Sequence, residues 1–242
     1  MGKNRLNQLK SPIEKADNPD LHDILYELVP FRISEVVIQK NNSSRVSIFS
    51  DGNFVFGMSL YDATTLSLHK GTEITARQVE SICATVLRDQ IKSWVLSLLA
   101  RRPYSRFQLI RKARTKQYQR SDIDLILDDF ESKGWLNDHE FAKAYANDKY
   151  NLSGWGPNKI KMYLFREGIS QQIIDQVLAN MENDSDIFSI LEKLVQKKKN
   201  HFLRENDTFK RKKKVVDYLM RKGFNGNDVF KFIDRLITKL NS

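Results

Sequence analysis

One cysteine, Cys83, is the only thiol in the chain. No intramolecular disulfide can form and no thiolate zinc cluster is available, which suits a reducing compartment. No stretch stays apolar for the ~18 residues that a membrane span requires. Met1 to Lys10 mixes basic, amide and aliphatic residues without the apolar centre of a secretory leader. A cytoplasmic chain with no membrane partner is expected. Phosphate-cradling loops of the GxGxxG or GxxxxGK type are missing as well, which argues against nucleotide hydrolysis. The four histidines, His22, His69, His139 and His201, stand far apart and outside any HExxH context, so no metal site and no cofactor is expected.

Acid is scarce where base is dense. Residues 1–90 hold 10 Lys and Arg against 11 Asp and Glu, so the formal charge of +10 comes from residues 91–242. A surface field attracts a partner only where like charges gather. The division implies a near-neutral amino-terminal module joined to a basic carboxy-terminal one, with 242 residues enough for cores that need no covalent staple.

Pro12, Pro19 and Pro30 interrupt residues 1–30, which read as an arm with one short helix around Leu21–Leu28. Residues 31–75 then turn β-branched and aromatic: Val36 to Ile38, Val46 to Phe49 and Phe54 to Phe56, with Asp51–Gly52 as a tight hairpin turn. Three strands are marginal alone, so Leu60–Leu68 or a helix from Thr75 should cover them. Nothing in this β-rich module suggests catalysis.

The rest of the chain reads as helix. Ile91, Trp94, Val95, Leu98 and Leu99 share one face before Pro103. Leu109, Ala113, Tyr118, Ile123, Ile126 and Leu127 then recur 51 residues later as Ile160, Leu164, Ile169, Ile174, Val177 and Leu178. They recur again after a further 55 as Val215, Leu219, Phe224, Val229, Phe232 and Ile233. Gly168 and Gly223 coincide as helix-ending residues, where Gln117 stands in the first unit and predicts a less sharp stop. Ser105, Ser121, Ser170 and Asn227 are expected N-caps, and Pro157 suits a first turn. The fold expected is mainly α: three tandem three-helix repeats in an elongated curved array, preceded by a small antiparallel sheet. The units span 76–134 (with a linking helix), 135–182 and 183–242, nine helices in all.

Asp128, Asp129, Glu131 and Lys133 resemble the acidic end of a nuclease motif, but they lie on the polar face of a helix, whereas such cores sit on a sheet; no catalytic residue is expected. Arg101, Arg102, Arg106, Arg111, Lys112, Arg114, Lys116 and Arg120 occupy a window without any acid. A second cluster joins Lys197, Lys198 and Lys199 to Lys210, Arg211, Lys212, Lys213 and Lys214. Charge this dense is self-repelling, so a polyanionic partner is favoured over a merely solvated face. Tyr104, Tyr118, Tyr163, Phe165 and Phe202 lie among these bases, with core packing the expected role of most. The third helices expose Asp122, Asp124, Asp128 and Asp129, or Gln171, Gln172 and Asp175, which disfavours sequence-specific duplex reading.

Residues 91–240 resemble the RecX family of bacterial RecA regulators. The segments that carry the likeness are Arg101–Arg102–Pro103–Tyr104–Ser105–Arg106, the run from Phe130 through Gly134–Trp135–Leu136–Asn137–Asp138 to Phe141–Ala142, and Leu164–Phe165–Arg166–Glu167–Gly168–Ile169. Residues 31–75 look like the β-rich extension of some members, and Gln117 departs from the glycine that many relatives carry. The resemblance implies a tandem three-helix-repeat fold and a protein that binds the RecA filament on single-stranded DNA and suppresses its ATPase and strand exchange; a monomer without catalytic activity is expected. The candidate RecA- or DNA-binding residues are Arg101, Arg102, Arg106, Arg111, Lys112, Arg114, Lys159, Lys161, Arg166, Lys197, Lys198, Lys199, Arg211, Lys212, Lys213 and Lys214. A stand-alone single-strand-binding protein is the alternative.

Overall fold

The computed structural model describes residues 20–179 and 184–241. It forms two compact units that part between Ser97 and Leu98. Residues 1–19 of the arm expected over 1–30 lie outside the described residues.

The first unit opens with α1 (Leu21–Leu28), capped by the Asp20 carboxylate. β1 (Phe31–Arg32) precedes the meander β2 (Glu35–Gln39), β3 (Asn42–Ser50) and β4 (Asn53–Ser59), paired antiparallel in that order. Asp51 and Gly52 both have positive φ, +48° and +76°, the geometry that lets a two-residue turn follow the twist of its strands. Ser59 caps α2 (Leu60–Thr65), after which β5 (Glu73–Ile74) returns to pair with β1. This two-stranded ribbon is too short for its alternation to register in the sequence. α3 (Ala76–Leu99) follows. Both expected covers contribute: Ala63 and Leu68 join Val79, Ile82 and Val86 in one core with Val46, Ile48, Val55, Phe56 and Met58. Arg45 on β3 pairs with the largely buried Asp89 of α3, and that pairing offsets the desolvation that raises the Asp89 carboxyl.

The second unit is helical: α4 (Arg106–Thr115), α5 (Arg120–Ser132), α6 (Asp138–Asn151), α7 (Pro157–Arg166), α8 (Gln171–Ala179), α9 (Asp184–Gln196), α10 (Lys199–Leu203), α11 (Thr208–Lys222) and α12 (Gly226–Asn241). α10 is an additional turn of helix beyond the nine expected. The repeat register holds in three dimensions. Of the eighteen equivalent positions all are buried except Tyr118 and Phe232, which are half-buried. The second and third repeats share one apolar core from Phe141 to Leu240.

Ser105 and Ser170 cap as expected, accepting from the amides of Gln108 and Ile173. Two other caps fall elsewhere. α5 starts from Gln119, ahead of Ser121, because Arg120 reaches forward one turn to Asp124 and adds an i,i+4 pair to the first turn. α12 starts from Asn225, ahead of Asn227, with the Asn225 side chain accepting from the Asp228 amide. Gln117 also corrects the expectation of a softer stop: its φ is +61°, in the same left-handed region as Gly168 (+76°) and Gly223 (+95°). The chain reversal demands that conformation whatever the residue. Among the described residues no helix is long and apolar enough to cross a membrane.

Candidate nucleic-acid interface

The basic residues are arranged by the way the repeats join. The carboxyl end of α7 meets the amino end of α4, and the carboxyl end of α11 meets the amino end of α7. At the first joint the buried Ser105 hydroxyl donates to the Glu167 carbonyl at 3.0 Å while accepting from the Gln108 amide at 3.1 Å. At the second the Gly156 amide donates to the Lys222 carbonyl at 2.7 Å, and the Asn158 amide to the Gly223 carbonyl at 3.0 Å. Orphan donors of one helix thus satisfy orphan acceptors of the next. A methyl at Gly156 would lie 2.3 Å from the Gly223 carbonyl carbon, one at Gly223 2.4 Å from Lys159 Cβ, and one at Gly168 2.7 Å from Phe107 Cβ.

Around the first joint the arginines are heavily engaged. Arg106 bonds Asp124 at 2.9 Å, and Asp128 and Glu131 at 2.7 Å each, while its backbone amide bonds Asp138 at 2.8 Å. Burial alone would lower the Arg106 guanidinium, but its bonds to Asp128 and Asp124 hold it above the ordinary value. In return Arg120, then Arg106, hold Asp124 below the usual aspartate range. Asp129 binds Lys133 at 2.7 Å. The nuclease-like carboxylates therefore close on cations of the chain itself, and among the described residues no group of three His, Cys, Asp or Glu could hold a metal ion. Arg102 lies over the Tyr104 ring at 3.8 Å, and Arg111 reaches the buried Glu167 at 3.4 Å. Arg101, Lys112 and Arg114 are exposed beside them.

In the rest of the unit Lys161 meets Asp175 at 3.5 Å and Arg166 is exposed. The 210–214 run is largely tied down: Arg211 bonds the Glu205 carbonyl and Asn241, Lys212 bonds Asp234 at 2.6 Å, and Lys214 bonds Glu205 at 2.6 Å, leaving Lys213 exposed. Lys197 and Lys198 are exposed and Lys199 half-buried at the start of α10. Lys159 stands with its ammonium 4.4 Å from the centre of the Trp155 ring, and Lys149 approaches the same ring at 5.4 Å. Lys149, Trp155 and Lys222 belong to this basic region and were not among the sequence candidates. Lys222 is singled out only when the repeat register is carried across, since it occupies the place of Glu167. Cys83, half-buried in the first unit, has its thiol pushed up to about 11 by burial, which keeps it protonated and poorly nucleophilic at neutral pH.

Comparison with known proteins matches three family profiles: "Regulatory protein RecX N-terminal domain" over residues 31–75, "RecX, second three-helix domain" over 137–178 and "RecX, third three-helix domain" over 184–233. The regulatory protein RecX of Clostridium beijerinckii is 30% identical over 197 residues, covering 80% of this chain and 90% of that protein. The Haemophilus influenzae (strain PittEE) RecX is 33% identical over 137 residues, 56% of this chain and 88% of its own. A crystal structure of regulatory protein RecX superposes with a TM-score of 0.70 at 23% identity, covering 85% of this chain and 99% of its own. That of RecX from Lactobacillus salivarius gives 0.55, also at 23%, over 64% and 96%. With three profiles and a relative matched over most of both lengths, the chain belongs to the RecX family of regulatory proteins.

Proposed function

We propose that this protein is a cytoplasmic, monomeric, non-catalytic regulator that binds the RecA filament on single-stranded DNA and lowers its ATP turnover and strand exchange. The observation that supports this most is the end-to-end joining of α11, α7 and α4, which makes three basic helical repeats one compact body. A body of this kind that touches two neighbouring protomers favours whichever filament geometry matches its own spacing. It then regulates through differential affinity for two filament states, with no chemistry, metal or cofactor of its own. Arg101, Lys112, Arg114, Arg166 and Lys213, exposed on successive repeats, are suited to acidic protein surface or DNA phosphate.

Adding the purified protein to RecA on single-stranded DNA should slow ATP hydrolysis at stoichiometric amounts; unchanged turnover would count against the reading. The cluster of lysines around Trp155 favours a second reading, direct binding to single-stranded DNA without RecA. Ionic strength separates the two, because phosphate-driven binding weakens steeply with salt while a protein interface with an apolar centre persists.

A further inference from the structure

The two joints match position by position but not in charge. In the repeat register Gln108 corresponds to Lys159, and Glu167 to Lys222. The first joint therefore holds a buried amide and a buried carboxylate, the latter reached by Arg111. The second holds two lysines. Around them gather Lys197 and Lys198 from the α9–α10 link and Lys149 from α6. Burial, then the proximity of Lys159, Lys197 and Lys198, lowers the Lys222 ammonium from its ordinary value. Lys222 donates to the Ser153 carbonyl at 3.3 Å. Among the described residues none of these five lysines forms an ion pair with a carboxylate. Like charges brought together by folding, and not ion-paired among the described residues, sit at an electrostatic cost that a bound anion removes.

The surroundings indicate a chain of anions more than a single enclosed one. From Lys198 two open depressions of about 250 and 330 Å³ share His201 and run past Arg221 and Arg204, with Asp217 the one acid lining them. Beside Lys159 stands the half-buried Trp155, edge-on to Tyr145 and Tyr163, which are stacked at 4.1 Å. Backbone phosphates spaced along a flexible strand, with a base free to turn toward an aromatic ring, meet both features.

We propose that the joint between the second and third repeats is a phosphate track for single-stranded nucleic acid, with Lys159 and Lys222 on one phosphate, Lys197 and Lys198 on the next, and Trp155 beside them. The inference rests on the proposed function in taking single-stranded DNA as ligand, so its test omits RecA. The full-length chain is titrated into a fluorescein-labelled oligo-dT and followed by anisotropy over a range of KCl. The double variant Lys159→Gln, Lys222→Glu installs the residues that the first joint already holds at the same places, and its thermal midpoint should equal or exceed that of the parent. Its affinity should fall about tenfold or more at low salt, and the salt slope should drop by about 0.7, the share of the one phosphate charge no longer neutralised. Lys197→Gln, Lys198→Gln, at exposed positions, should show a smaller reduction in the same direction.

A folded double variant with parental affinity and slope overturns the inference. So does competition by tripolyphosphate as effective as oligo-dT at equal phosphate concentration, which would make this a general polyphosphate site. A variant that binds DNA normally but no longer slows the RecA ATPase assigns the patch to a protein partner, overturning the track and leaving the proposed function intact. Loss of DNA binding supports the track whatever the ATPase shows.

Discussion

The joint between the first and second repeats and the joint between the second and third use one backbone arrangement with different means of closure. The first is closed by side chains: the Ser105 hydroxyl on the Glu167 carbonyl, Arg111 on the Glu167 carboxylate, Phe107 over Gly168, and Arg106 drawing in Asp124, Asp128 and Glu131. The second is closed by main chain on main chain, with glycines on both sides and two direct amide-to-carbonyl bonds. Repeats can thus keep their apolar register while the residues at the seam diverge. The sterically closed seam needs no polar side chains for cohesion, which leaves Lys159 and Lys222 available for a ligand.

The largest expected effect tests that steric closure. Gly156 has an ordinary φ of −77°, so Gly156→Ala introduces no backbone strain and its cost is the clash alone. With backbone atoms 2.3 Å from the added carbon, the seam must open, at about 3 kcal/mol or more in urea denaturation. Ser105→Ala, at the equivalent place in the first joint, removes a cap and one buried hydrogen bond and should cost about 1–2 kcal/mol. Equal destabilisation by the two variants would erase the distinction between the seams.

Arg106→Gln is expected to come next, at about 1 kcal/mol, modest because its partners are partly exposed and screened. Its pH dependence is more telling. Asp124 has a folded pKa below its unfolded value near 3.8, so its stabilisation is complete above that value and is lost as pH falls through the folded one. Asp138 works oppositely: burial raises its carboxyl, so it takes up a proton more readily when folded and adds stability on acidification. The parent should lose more stability than Asp124→Asn in the acid window from about pH 5 downward. Parallel acid curves would show that the arginine hub does not depend on that carboxylate.

The core was legible in the sequence because apolar side chains at helical spacing repeat, and burial follows that spacing regardless of what the surface does. The caps at Ser105 and Ser170 were legible for a related reason, since the capping side chain acts within three residues. The two-residue ribbon of β1 and β5 was not, nor was α10, being too short to build a period. Basic density was visible, but its pairing was not: Arg106 finds Glu131 and Lys212 finds Asp234 only after the helices fold together. Lys149 and Lys222 stand outside the dense runs, and only folding brings Lys149 to Trp155 and Lys222 beside Lys159.

Gln117 gives the smallest effect and the finest test of the joints. It occupies the place of Gly168 and Gly223 and adopts the same left-handed backbone, yet it is exposed, whereas Gly168 lies against Phe107 and Gly223 against Lys159. Two demands that coincide at the joints, conformation and closeness, separate here, and conformation alone is left. A side chain in the left-handed region costs about 1 kcal/mol relative to glycine, less the greater freedom glycine has when unfolded. Gln117→Gly should therefore stabilise the chain by about 0.5 kcal/mol, read as a small rise in the denaturation midpoint, while Gly223→Ala should destabilise it well beyond that. If Gln117→Gly instead lowers the midpoint, the glutamine side chain itself stabilises the fold, and the glycines at the two joints owe more to packing than to their turn.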